Sequence, residues 1–343
     1  MKNFAIGVDL GGTNLRIAAV DDQGTLIEKV TLGTKVSLGR DHVLDDMCNA
    51  IQHVLEKYQN SSKLLGIGIG VPGIIDKQTG LLRESPNLPG WANYPVRAEI
   101  EQRLKTVVIL ENDANVAALG EKWLGAAKEF EDMAMLTLGT GVGGGLVLRG
   151  SIWHGQNGMA GEFGHSTVEP EGHICGCGNH GCLEQYASAT AVVRMAREAI
   201  ASDPNSSLAR AAHEDAEFSA KSLYNLAIQG DEGARKIYRR VGSALGIVLS
   251  MMVNSLNLPI YVIGGGVSSA WEAFSPTMFQ EMRRRCMVYA ATRPPEPDAK
   301  LEGASALINP GPGPKTIITR ALLGSDAGLY GASRLPMIPE DKR

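Results

Sequence analysis

The sequence predicts an α/β protein of two lobes with related architecture, each holding a mixed central sheet, with a cleft between them. Three observations carry this. A strand, a glycine turn and a second strand are legible in AIGVDLGGTNLRIAAV near the start, and the pattern recurs in MAMLTLGTGVGGGLVLRG at 133–150. Each hairpin opens a stretch in which helical and strand periodicities are mixed. At 343 residues the chain is long enough to bury two ordinary cores.

The elements follow in order. NFAIGVDL is a short apolar run with partial alternation, DDQG is a turn, and LIEKVTL is a third strand. HVLDDMCNAIQHVLEKY spaces its apolar residues for an amphipathic helix. LLGIGIGVPG reads as a buried strand entering a loop. TVVILEND (106–113) reads as a β-branched strand whose polar end meets the helix ANVAALGEKWLG. Further on, ARKIYRRVGSALGIVLSMMVNSLN (234–257) is a long helix, and PIYVIGGGVS is a buried strand feeding a third glycine turn. The Pro- and Gly-rich stretch 292–315 reads as an extended insertion forming a surface loop. TIITRALLGSDAGLYGASRL then returns to strand and helix. This places a small lobe at residues 1–115 plus about 318–343, and a large lobe at 116–317.

Composition excludes several classes. A net charge of −4 offers no basic footprint for nucleic acid. No window approaches the length of a membrane span, and the N-terminus lacks the apolar run of a signal peptide. The cytoplasm is therefore expected, where thiols stay reduced. The 41 glycines point to tight turns and to backbone that lies close to a ligand.

Two stretches match GxGxxG, through Gly68, Gly70 and Gly73 and through Gly139, Gly141 and Gly144. A dinucleotide fingerprint needs a strand, a turn and then a helix, so that pyrophosphate meets the helix N-terminus. IIDKQTGLL and GLVLRG follow instead, and neither is a helix pattern. No P-loop occurs. What remains is a pair of glycine hairpins. One carries Asp9, Gly11, Gly12, Thr13 and Asn14; the other carries Gly139, Thr140 and Gly141. Such turns also occur as plain hairpins. Their N–H groups can nevertheless nest phosphate, and Asp9, ending a buried strand beside one nest, is placed to hold Mg²⁺.

Residues 173–184, HICGCGNHGCLE, hold three of the five cysteines. Buried free thiols are one explanation. The crowded glycines, which let a short loop wrap an ion, favour structural Zn²⁺ on Cys175, Cys177 and Cys182. His165, His173 and His180 can each supply the fourth ligand. Cys48 lies in a helix pattern and is expected in the core, while Cys286 is expected to have no role.

GEFGHSTVEPEGHICGCGNHGCLEQYAS (161–188) closely resembles the signature of the ROK family of repressors, open reading frames and sugar kinases. DLGGTNLR, SPNLPGW, ENDANVAALGE, LGTGVGGG and VIGGGVS occur in that family's order, covering about residues 4–333. The resemblance implies an actin-like ATPase fold of two ribonuclease-H-like lobes. It also implies zinc on His165, Cys175, Cys177 and Cys182, leaving His173 and His180 at the surface. Asp113 would be the catalytic base, with plain helix capping by Asn112 or Asp113 as its alternative. Asn87, Asn112, Asp113, Glu162, His165 and Glu184 would bind the sugar, and Gly264, Gly265 and Gly266 would lie along the adenosine of ATP. The zinc would clamp His165 and Glu184 in place and take no part in the reaction.

The reaction so implied is transfer of phosphate from MgATP to the 6-hydroxyl of a hexose. D-glucose is expected first, because the pattern through VEPEG most resembles glucose-phosphorylating members. N-acetylmannosamine, N-acetylglucosamine, fructose and allose remain open as acceptors, and polyphosphate as donor. A sugar-responsive repressor would need an N-terminal helix-turn-helix, for which the strand beginning near residue 4 leaves no room. Family likeness implies a homodimer.

Overall fold

The computed structural model describes residues 2–58, 60–85, 87–215, 217–296 and 301–340. The chain forms two compact units. The first holds Met1–Met135, Gly145–Gly161 and Leu322–Arg343, and the second holds Leu136–Gly144 and Glu162–Ala321.

The first unit opens with β1 (Lys2–Leu10), β2 (Asn14–Asp21) and β3 (Leu26–Gly33). Then come α1 (Arg40–Tyr58), β4 (Ser62–Val71), β5 (Ile74–Asp76), β6 (Leu81–Glu84), α2 (Val96–Leu104), β7 (Val108–Asn112) and α3 (Asp113–Trp123). Its sheet runs β3-β2-β1-β4-β7, with β2 antiparallel to both β1 and β3, β4 parallel to β1, and β7 parallel to β4. Strand periodicity sorts the side chains. Leu15, Ile17 and Ala19 join the core that includes Val43, Leu44, Met47 and Ile51 of α1, while Ala18 and Val20 pack with Leu329. Each large side chain buried in this way contributes about 1.5–3 kcal/mol.

β8 (Met133–Leu138), β9 (Val142–Leu148) and β10 (Ser151–Ile152) follow. The helices of the second unit are α4 (Glu184–Ala187), α5 (Ala189–Ser202), α6 (Ser207–Glu214), α7 (Ala220–Gln229) and α8 (Glu232–Leu256). After β11 (Ile260–Gly264) come α9 (Trp271–Arg285), α10 (Met287–Thr292), α11 (Ala304–Leu307) and β12 (Ile317–Arg320). This sheet runs β10-β9-β8-β11-β12. Counted from its own first strand the order is 3-2-1-4-5, as in the first sheet once the separate β5–β6 hairpin is set aside. The repeat read from two glycine hairpins is thus a repeat of topology.

The chain then returns to the first unit as α12 (Ala327–Arg334). The buried carboxylate of Glu121 in α3 receives the N–H groups of Leu322 (3.1 Å), Leu323 (2.8 Å) and Ala126 (2.8 Å). Because α12 packs on α3, the first unit extends to residue 135, beyond the expected boundary at 115. β12 pairs with β11 and so lies in the second unit, although residues 318–320 are expected in the first. The GxGxxG at 68–73 leads from β4 into β5, and the one at 139–144 leads into β9, so neither meets a helix.

The stretch 292–315 is less extended than its composition suggests. Residues 297–300 lie outside the described residues, but α11 is helical and Ser305 is buried. Arg293 is buried too, donating to the carbonyls of Ala290 (2.5 Å) and Ile308 (3.3 Å). Cys286, expected to be idle, is buried; its sulfur accepts the Tyr289 N–H and donates to Asn254 Oδ1 (3.1 Å). Cys48 is in the core. No helix among the described residues is long and apolar enough to cross a membrane.

Glycine seats α12. A Cβ on Gly68 would stand 2.0 Å from the Ala332 carbonyl oxygen, and one on Gly331 would stand 1.7 Å from that of Val116. Backbone cannot yield to such an overlap, so Gly331→Ala is expected to destabilise the protein by about 3 kcal/mol, the upper end of overpacking costs. A urea midpoint equal to wild type would refute the close seat.

Candidate active site

β7 delivers Asn112 to the start of α3. Asn112 Oδ1 accepts the N–H groups of Ala114 (2.9 Å) and Asn115 (3.2 Å), and Nδ2 donates to the Gly73 carbonyl (3.1 Å). The capping alternative therefore applies to Asn112, whose side-chain oxygen is engaged within the protein. Asp113 is the first residue of α3, half-buried, with Oδ1 accepting the Ala114 N–H at 2.9 Å. Asn87 is exposed and lies against the first glycine turn, its carbonyl oxygen 3.1 Å from where a Cβ on Gly12 would be. Buried Leu88 and Trp91 anchor that loop; Pro86 of SPNLPGW lies outside the described residues.

Asp9 faces Arg16 across the β1–β2 ladder, with Arg16 Nη1 at 3.1 Å from Oδ2. Burial pushes the Asp9 carboxyl up, and the Arg16 guanidinium only partly opposes this. A cation beside the glycine turn would suit that carboxylate. Gly11 N–H closes the turn on the Asn14 carbonyl at 2.9 Å.

A neighbouring cluster escaped the sequence reading. Glu111 is almost wholly buried, and its Oε2 lies 2.6 Å from Lys77 Nζ and 2.7 Å from His154 Nε2. Oε1 accepts the Asn112 N–H and the Asn115 side-chain amide, each at 3.0 Å. The only signal in the sequence was an acidic residue inside the run END; its partners are 34 and 43 residues away.

In the second unit, His165, Cys175, Cys177 and Cys182 bring one ligand atom each to within 4.8 Å of one another. Cys177 Sγ and Cys182 Sγ are 3.7 Å apart, as are Cys175 Sγ and His165 Nδ1. A tetrahedral ion about 2.3 Å from each sulfur sets sulfurs about 3.8 Å apart, so soft donors and spacing both fit. Burial pushes the Cys182 thiol up to about 12, with the neighbouring thiols adding to it, whereas the Asn179 N–H pulls Cys177 down. His173 and His180 are exposed, as expected. His165 turns its other nitrogen, Nε2, toward Glu162 Oε2 at 3.9 Å.

Glu184 links this segment to the second glycine turn. Its Oε2 accepts the Val142 N–H at 2.9 Å, and its Oε1 is 3.9 Å from Cys175 Sγ. That turn, Gly139–Thr140–Gly141, is also bound to the start of α5. The Ala189 N–H donates to the Gly139 carbonyl and the Thr190 hydroxyl to that of Thr140, both at 2.8 Å. Beside it lies an open cavity of about 800 Å³, lined by Thr190, Val193, Arg197, Phe218 and Ser219 among others. α7, next to this wall, packs on the single turn Gly266–Ala270 that follows Gly264 and Gly265. Gly265 has φ +82°, and a Cβ there would meet the Leu138 backbone at 2.5 Å, so only glycine serves.

Two sheets of one strand order, each opened by a glycine hairpin, define the two-lobed α/β fold of actin-like ATPase-type sugar kinases. The chain belongs to the ROK family, whose model matches residues 5–336. It is 37% identical over 332 residues to a glucokinase of Halalkalibacterium halodurans, covering 96% of this chain and 94% of that one. It is 38% identical over 313 residues to a glucokinase of Thermotoga maritima, covering 88% and 96%. A ROK glucokinase of Streptomyces griseus, solved with glucose and AMPPNP, superposes with a TM-score of 0.76 at 30% identity, covering 97% and 98%.

The cluster around Glu111 has a consequence for acid stability. Burial alone would raise its carboxyl, but the His154 hydrogen bond and the Lys77 charge outweigh this and hold it at about 2, below the ordinary 4.5. A depressed value means the stabilisation is whole above about pH 4.5 and is lost as pH falls toward 2. Between about pH 5 and 2 the urea midpoint of wild type should fall more steeply than that of Glu111→Gln. Parallel slopes would show that the ionised carboxylate does not set acid sensitivity.

Proposed function

We propose that this chain is an ATP-dependent glucokinase, transferring the γ-phosphoryl group to the 6-hydroxyl of D-glucose. The whole-length likeness to two glucokinases carries this reading. In the proposed reaction Asp113 orients the sugar hydroxyl and accepts its proton during in-line transfer. Its place on the first turn of α3 supports this, since Asn112 supplies the helix cap. A sugar hydroxyl both donates and accepts, and the amides and carboxylates of Asn87, Asn112, Glu162 and Glu184, with His165, suit it.

We assign the donor phosphates to the N–H groups of the two turns, Gly11, Gly12, Thr13 and Asn14 in one and Gly139, Thr140 and Gly141 in the other. The adenosine falls to Gly264, Gly265 and Gly266 with the cavity beside α5, whose wall is tied to the phosphate turn. Magnesium accompanying ATP would supply neutralising charge on the phosphates, with Asp9 as its carboxylate. Zinc on His165, Cys175, Cys177 and Cys182 would supply a structural tether. His165 would then offer Nδ1 to the cluster and keep Nε2 for the sugar side, so one ring serves both assignments. Reduced thiolates fit the cytoplasm, and the family likeness fits a homodimer.

A coupled ADP-release assay with MgATP across glucose, mannose, fructose, allose, N-acetylglucosamine and N-acetylmannosamine tests the function. Glucose is expected to lead in kcat/KM by at least about tenfold, or about 1.4 kcal/mol of discrimination. A leading N-acetyl sugar would overturn the acceptor and keep the chemistry. Asp113→Asn should lower kcat by about a hundred- to ten-thousand-fold while glucose KM stays within a few fold; near-normal turnover would remove it as base. Purified protein should hold one zinc per chain, and stripping it should raise glucose KM and lower the melting temperature. Metal-free protein with unchanged kinetics would exclude the tether.

A further inference from the structure

We propose that Glu111, held by Lys77 and His154, is a positioning residue that fixes the backbone carrying Asp113. This rests on the reading of Asp113 as the base. A carboxylate buried this deeply loses hydration worth several kcal/mol, and apolar side chains of similar volume would stabilise a core as well or better. What an ionised pair supplies that apolar packing lacks is direction.

Here the direction is specific. Oε1 of Glu111 accepts the N–H of Asn112, the residue just before Asp113, and the side chain of Asn115, one half-turn beyond it. Asn112 in turn caps α3 and reaches the Gly73 carbonyl. One carboxylate oxygen thus holds the backbone N–H just before Asp113 and a side-chain amide of the helix turn just after it. Oε2 is fixed from two other segments, by Lys77 in the turn after β5 and by His154 after β10. Lys77 Nζ and His154 Nε2 also lie 2.7 Å apart, and the Lys77 carbonyl accepts Arg97 Nη2 at 2.6 Å. All of these residues belong to the first unit. A base acts only within hydrogen-bond reach of its proton, and a misplacement of about 1 Å can cost about a hundredfold in rate. Glu111 is therefore expected to act on turnover through Asp113, without touching substrate.

The test is a double-mutant cycle on the full chain, with kcat and both KM values measured well below each variant's melting temperature. Glu111→Gln should lower kcat about 10- to 100-fold with the glucose and ATP KM values within about threefold. In an Asp113→Asn background the same change should alter the residual rate by less than about threefold, because its route of action is already gone. A full loss in that background, or near-wild-type kcat in the single variant, would overturn the proposal. If Glu111→Gln does not fold, Lys77→Met, at a half-exposed position, takes its place in the cycle. It should lower kcat about three- to tenfold alone and have no further effect with Asp113→Asn; equal losses in both backgrounds would refute positioning. The Asp113→Asn single variant reports separately: normal turnover there sinks the base assignment, whereas non-interacting losses sink only the role of Glu111.

Discussion

The first unit depends on one buried carboxylate that collects a returning chain. Glu121 lies in the last turn of α3 and receives the N–H groups of Leu322 and Leu323 from a segment 201 residues later. Three N–H donors leave the buried carboxylate well paired, which is the condition on which it can be buried at all. With that segment held, α12 can settle on α3, and the small residues along both helices let their backbones approach. α3 is then backed on one side by α12 and gripped at its N-terminus by Glu111 and Asn112. The geometry around Asp113 is the sum of those constraints.

The second unit solves a different problem by related means. Its His/Cys segment has little regular structure, and its shape comes from four side chains gathered around one point and from isolated bridges such as Thr167 to Cys182. Glu184 carries that order onward to Val142 at the glycine turn. One carboxylate thus links the cysteine segment to the backbone of the second glycine turn. A change in the cysteine loop would reach that glycine turn through Glu184.

Local pattern made much of this readable. The glycine hairpins, the helix of residues 40–58, the strand ending in END and the cysteine spacing all follow from periodicity and turn chemistry within about twenty residues. What stayed hidden was set by pairing across the chain. Lys77 and His154 look like surface polar residues until the fold brings them to Glu111. The extent of the first unit was likewise misjudged, because nothing in ANVAALGEKWLG announces that α12 will pack on it. The stretch 292–315 misled through composition: prolines and glycines conceal a buried Arg293, one of whose carbonyl partners, Ile308, lies 15 residues away. Asn112 shows a further limit, since one residue can both cap a helix and sit where a sugar contact is expected.

The wide separation of Glu121 from Leu322 also shapes how the molecule is made. On a ribosome, α3 emerges long before the segment that completes its packing, and the whole second unit must be synthesised in between. Closing so long a loop is slow compared with local helix or hairpin formation. The first unit therefore finishes after the second can already have folded, although its strands come first in the chain. A nascent chain stopped before residue 322 carries Asp113 on a helix with one face uncovered, so the supported form of that residue belongs only to the nearly complete protein.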